Sequence, residues 1–229
     1  MNIVLLPGFM LDAELWGDMA LTLNERHKLF YGDLTKYDTI DEMAEGVLAS
    51  APERFVLIGF SMGGYVARAM ARKASDRVQA LILIATSGRA DTPAEADRKA
   101  RSVKQVAAQG YSGLSRSSVL LTLHHSRRSD DPLVERVSGM ARRLGGDVFM
   151  RRAAHPRGGD LDRLAEIACP TLIIASADDR VRSVVEAEEL RAGIRQSELV
   201  LVDGVGHMAP LEAPDQLART IESWIRRVI

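Results

Sequence analysis

The chain has 229 residues, 46% hydrophobic and 27% charged, with a formal net charge of −1. That length and composition suit one globular domain, or one with an insertion, and leave no need for a disulfide or metal staple. So small a charge gives no general pull toward nucleic acid or anionic membrane, and no run approaches the ~20 apolar residues of a membrane span.

Taken in chain order, the predicted elements alternate. An apolar run at 2–6 ("NIVLL") reads as a buried strand and precedes helix-period residues over about 11–24. A weaker strand at 27–32 ("HKLFYG") and a helix near 40–50 lead to "RFVLIGF" at 54–60, a helix at 62–74 and "VQALILIA" at 78–85. After a long gap come "PTLIIAS" at 170–176, a helix at 184–193, "SELVLVDG" at 197–204 and a last helix over 213–228. Runs that are apolar at nearly every position suit strands covered on both faces, so the expected fold is α/β: a mostly parallel sheet flanked by helices. Pro214 near the start of the last helix, and Arg226 and Arg227 in its final turn, agree with helix-end preferences.

The gap holds no convincing strand. It carries helical patterns such as "PAEADRKARSVKQVAAQG", "DPLVERVSGMARRLGG" and "DVFMRRAAH". Residues 1–87 and 168–229 are therefore expected to form the core, with 88–167 inserted as a helical cap. Between 111 and 160 nine arginines face five acids, which reads as a solvated surface or, more sharply, as a site attracting an anionic substrate or acidic carrier.

The chemistry centres on "GFSMGG", Gly59 to Gly64. It stands between a strand and a helix, the context in which G-x-S-x-G raises a nucleophilic serine, Ser61, off the end of a sheet. The bland alternative is a glycine-rich turn. A serine needs a base, and the base an orienting acid, in the chain order serine, acid, histidine. Asp178 and Asp179 follow one strand and His207 follows the next, at the ends where such sheets bind ligands. Either aspartate could instead cap the next helix. For an oxyanion, the amide after the nucleophile, on Met62, and one from the "PGFM" turn, on Phe9 or Met10, are the expected donors. Phe9, Met10, Met62 and Met208 are candidate pocket residues, methionine suiting a pliable apolar pocket as well as plain packing.

The remaining candidates carry less. Single Cys169 excludes an internal disulfide and reads as a small buried residue. Adjacent His124 and His125 lack partners at metal-ligand spacing, so no metal site is expected; His27 and His155 stand alone. The N-terminus, "MNIVLLPGFM", has no basic region or cleavage-like site, which points to a cytoplasmic protein.

Together, "LLPGFMLDAELW", "GFSMGGYVA", "CPTLIIASADD" and "GVGHMAPLEAP" resemble the α/β-hydrolase fold family along almost the whole chain. In that family the acid stands nine residues after the proline of the P-T-L element, which falls on Asp179. The resemblance implies a helical cap over residues 88–167. Two departures stand out. Pro7-Gly8 replaces the His-Gly common in the oxyanion loop, marking a Pro-Gly subgroup. No antiparallel strands precede "NIVLLPGF", so a reduced sheet of about six strands is expected.

The resemblance implies a serine hydrolase of a carboxylic ester, thioester or lactone, with a small, largely apolar acyl substrate and no metal or organic cofactor. Ser61 would attack, His207 act as base, Asp179 orient it, and Met62 and Phe9 amides hold the oxyanion. The same fold hosts non-catalytic small-molecule sensors and carbon–carbon hydrolases or lyases, which remain the alternatives. A haloalkane dehalogenase would need an acid in place of Ser61, and the cap shows no acidic cluster for the free amine of a peptide.

Overall fold

A computed structural model describes all residues, 1–229. Its centre is a six-stranded sheet in the order β2-β1-β3-β4-β5-β6. The strands are β1 (Asn2–Leu6), β2 (Lys28–Tyr31), β3 (Phe55–Phe60), β4 (Val78–Ile84), β5 (Thr171–Ser176) and β6 (Ser197–Val202). Every pairing is parallel. The weak 27–32 run is thus a real strand, at the sheet edge, where half-exposed positions explain its faint signal.

The period-2 alternation of strands divides the apolar side chains between two faces. Ile3, Leu5, Val56, Ile58, Ile82 and Ile174 point to one face, with α1 (Gly17–Leu23) and α9 (Pro214–Val228). Val4, Leu6, Leu57, Leu81, Leu83 and Ile173 point to the other, under α2 (Ile40–Ser50), α3 (Met62–Lys73) and α7 (Val184–Gly193). Strands buried on both sides were legible as continuous apolar runs for this reason.

The helix expected over 11–24 begins as a 3-10 turn at Ala13–Trp16, capped by Asp12, before α1. Between β4 and β5 lie α4 (Pro93–Gln109), α5 (Arg116–Thr122) and α6 (Asp131–Ala154), with no strand. Gly145, at φ 77°, kinks α6 between the two helical patterns seen in the sequence. A short α8 (Ala209–Glu212) follows the β6 loop.

This segment packs onto the loop after β1. Met10, Ala141, Phe149 and Ala153 form a small buried cluster of their own, and the rings of Phe9 and Phe149 meet edge to face with centroids 5.7 Å apart. No helix is long and apolar enough to cross a membrane.

Candidate active site

Parallel strands all present their C-terminal ends at one edge, so the loops after β1, β3, β5 and β6 gather there. The loop after β1 carries Pro7 to Met10, β3 ends at Ser61, β5 runs into Asp178 and Asp179, and β6 leads to His207. Sequence positions more than a hundred residues apart become neighbours by topology alone.

Ser61 has φ 51° and ψ −113°, a conformation disfavoured for any residue with a Cβ. Its backbone is held at both ends: the amide donates to Ile84 O at 2.9 Å, and its carbonyl accepts from Thr86 Oγ1 at 2.7 Å. Close packing dictates the flanking glycines. A Cβ on Gly59 would lie 2.5 Å from the Gly63 carbonyl oxygen, and one on Gly63 would lie 2.3 Å from that of Leu6. The turn thus presses α3 onto β1 and β3 and turns the serine hydroxyl out.

The hydroxyl meets His207. Ser61 Oγ and His207 Nε2 are 3.0 Å apart, and His207 Nδ1 lies 2.7 Å from Asp179 Oδ2. The other Asp179 oxygen accepts from the amides of Val181 at 2.7 Å and Arg182 at 2.9 Å. A carboxylate so engaged is fixed as an acceptor, so Nδ1 carries the ring proton and Nε2 is left to accept from the serine. His207 is 4% exposed, its ring tilted against that of Phe60 with centroids 5.0 Å apart.

Geometry separates the two adjacent aspartates. The Asp179 side chain is 1% exposed and turned to His207; that of Asp178 is half exposed, its Oδ2 3.6 Å from His124 Nε2.

The amides of Phe9 and Met10 donate to no backbone carbonyl. Met62, first in α3, has no partner within its helix, and its amide stands at the positive end of the helix dipole. Met10 adopts φ 54° and is fully buried in the small Phe149 cluster. Met208 is buried in the main core, its amide donating to Thr122 O at 3.2 Å.

A cavity of about 200 Å³ opens beside the Pro7-Gly8 turn, walled by Leu11, Trp16, Leu34, Leu144 and Arg152 among others. None of Phe9, Met10, Met62 and Met208 lines it, and neither do Ser61 and His207. A second cavity lies beside Asp179, against His124, His125, Arg128 and Asp178, the two imidazoles tilted to one another with centroids 4.0 Å apart.

Residues 3–220 match the family described as the alpha/beta hydrolase family. The chain belongs to the alpha/beta hydrolase family. As an alpha/beta hydrolase it resembles a pimeloyl-[acyl-carrier protein] methyl ester esterase of Nitrosomonas europaea, 25% identical across 97% of this chain and 94% of that one. The equivalent enzyme of Pectobacterium carotovorum is 37% identical over 94 residues, and that match spans 38% of this chain and only 37% of the relative's length. Among solved structures, a malate-bound thermophilic esterase from Thermogutta terrifontis superposes with a TM-score of 0.88 at 27% identity, over 100% of this chain and 90% of that one.

Two residues at this site escaped the sequence reading. Glu212 sits inside "GHMAPLEAP" and bridges the β6 loop to the inserted segment: its carboxylate accepts from the amides of Gly206 and His124, both at 2.7 Å. Burial pushes the Glu212 carboxyl above the ordinary carboxylate range, against the lowering effect of those two amides. Arg152, in an arginine-rich stretch, looked like surface but is 8% exposed. The arginine excess itself is largely neutralised. Seven of the nine reach carboxylates, three of them across to residues before β4: Arg136 to Asp18, Arg143 to Asp12 and Arg151 to Asp38.

Proposed function

We propose that this alpha/beta hydrolase cleaves a carboxylic ester, or a thioester or lactone, of a small acyl substrate through an acyl-enzyme on Ser61. The single observation that carries the reading is the unbroken hydrogen-bonded chain from Ser61 through His207 to Asp179, with its 3.0 Å and 2.7 Å links. The names of the three relatives given above, each an esterase, agree with it.

In this mechanism Ser61 Oγ attacks the carbonyl carbon as its proton passes to His207 Nε2. Asp179 keeps the imidazole in the Nδ1–H tautomer and stabilises the imidazolium. The carbonyl oxygen becomes an oxyanion held by the Met62 and Phe9 amides, with Met10 as the alternative donor in the loop. Collapse breaks the C–O bond, and the departing alcohol takes the proton from His207. Water then attacks the acyl group with His207 as base, releasing the acid and restoring the serine hydroxyl.

Residues 88–167 act as a cap over this chemistry, fastened by the ion pairs of α6 and by the Phe9–Phe149 contact. Phe9, Met10, Met62 and Met208 are assigned to the apolar surroundings of the acyl group, Met10 from within the small Phe149 cluster and Met208 from within the main core. The test is turnover of p-nitrophenyl esters from acetate to decanoate by the wild type and by Ser61→Ala. Hydrolysis by wild type alone supports the reading; equal rates from both proteins, or none from wild type on any chain length, contradict it.

A further inference from the structure

Of the nine arginines between 111 and 160, Arg152 is the most deeply buried, and it makes no ion pair. Its Nη2 donates to the carbonyl of Leu34, and its Nη1 has only the thioethers of Met62, at 3.3 Å, and Met43, at 3.9 Å. Thioether sulfur is a weak acceptor. Its Nε, buried, has no acceptor at all. A guanidinium withdrawn from water with no anion in contact is costly, and the charge does not disappear: burial lowers its pKa only to about 10, the more distant Asp33 carboxylate opposing the shift, so it is a cation at neutral pH.

The surroundings show where a counter-charge belongs. Arg152 lines the cavity of about 200 Å³ beside Pro7 and Gly8. Trp16, on the same wall, also has an indole N–H without an acceptor. The two carboxylates at the rim are already engaged. Asp12 accepts from the Glu14 amide and pairs with Arg143, while Asp33 accepts from the amide and hydroxyl of Thr35 and lies 3.3 Å from Lys36. Two residues of the cavity wall therefore carry unpaired donors, and the guanidinium touches Met62, the residue that follows Ser61.

We propose that this cavity is an anion subsite in which Arg152 holds a free carboxylate of the substrate, making the preferred substrates esters that carry a carboxylate a few carbons from the scissile bond. The proposal rests on the ester-hydrolase reading and narrows it. A planar guanidinium matches a carboxylate in two-point geometry, and in a site shielded from water such a pair discriminates strongly against a neutral isostere. The carboxylate can sit on the acyl side, as in a dicarboxylic half-ester, or on the alcohol side, as in an acylated hydroxy acid.

The test compares kcat/KM for monoethyl glutarate, for 3-acetoxypropanoate and for the neutral ethyl pentanoate, in wild type, Arg152→Met and Arg152→Lys. We expect wild type to favour one of the two anionic esters over ethyl pentanoate by at least tenfold, and which one it favours assigns the carboxylate to the acyl or the alcohol side. In Arg152→Met that ratio falls to about one, and Arg152→Lys retains part of it. Glutarate should bind Ser61→Ala in calorimetry, a readout that needs no turnover and so separates failure of the subsite from failure of the hydrolase reading. Wild type with no anionic preference and no glutarate binding overturns the proposal even if Arg152→Met fails to fold. A ratio unchanged in a folded Arg152→Met overturns it as well, leaving Arg152 as a clamp on Leu34.

Discussion

His207 Nδ1 lies 2.7 Å from Asp179 Oδ2, while the adjacent Asp178 turns away toward His124. Two neighbouring acids therefore have opposite fates. Asp179→Asn should lower kcat roughly 10⁴-fold by presenting the wrong ring tautomer to Ser61, whereas Asp178→Asn should stay within about threefold of wild type. Steady-state kinetics on one ester decide it; comparable losses from both changes would contradict the assignment.

Ser61 holds φ 51° against steric preference, and the strain is released only by removing its Cβ. Ser61→Ala keeps the strain and Ser61→Gly relieves it. We expect Ser61→Gly to exceed Ser61→Ala in stability by about 1 kcal/mol, the relief of strain outweighing glycine's greater entropy in the unfolded chain. Urea unfolding of the two inactive proteins measures this. A glycine variant less stable than the alanine one would mean that the turn is not strained.

Much of this was legible in the sequence because the informative residues are local. Ser61 announces itself through glycines at Gly59 and Gly63, whose close approaches are short-range packing facts. The strands were legible because burial on both faces makes every position apolar, as in β3. Arg152 and Glu212 were not, because their roles depend on partners far away in the chain. Glu212 is 88 residues from His124, and Arg152 is 118 from Leu34. Nothing in "FMRRAAH" distinguishes exposed Arg151, paired with Asp38, from buried Arg152. Likewise α5 was missed, its seven residues being too short to show a helical period.

Glu212 ties the His207 loop to the inserted segment by accepting two buried amides. Glu212→Ala leaves both without an acceptor, at a cost of about 2 kcal/mol or more. Its thermal midpoint should fall and kcat should fall with it, because the loop carrying His207 loses its anchor. Calorimetry and kinetics on the same preparation test this; an unchanged kcat would show that the loop is held without Glu212.

Acid should weaken the start of α4. Burial pushes the Glu95 carboxyl up, but the Thr92 amide and hydroxyl, with Arg157 and Arg182, outweigh it and bring its pKa to about 2. An unfolded glutamate titrates near ~4.3, so the folded value is depressed and the stabilisation is fully present above about pH 4.3. It is lost as pH falls toward about 2. Glu95→Gln should thus lower the urea midpoint near neutrality, and the deficit should shrink with acidification below about pH 4. A deficit independent of pH would show that the carboxylate charge is not what stabilises the cap of α4.

The central claim is that Ser61 is an activated nucleophile, and intact-mass spectrometry after incubation with a fluorophosphonate tests it most directly. The account predicts one adduct on wild type, mapped to Ser61, none on Ser61→Ala, and slow labelling of Asp179→Asn. A wild type that stays unmodified, or a Ser61→Ala protein that is still labelled, would contradict it.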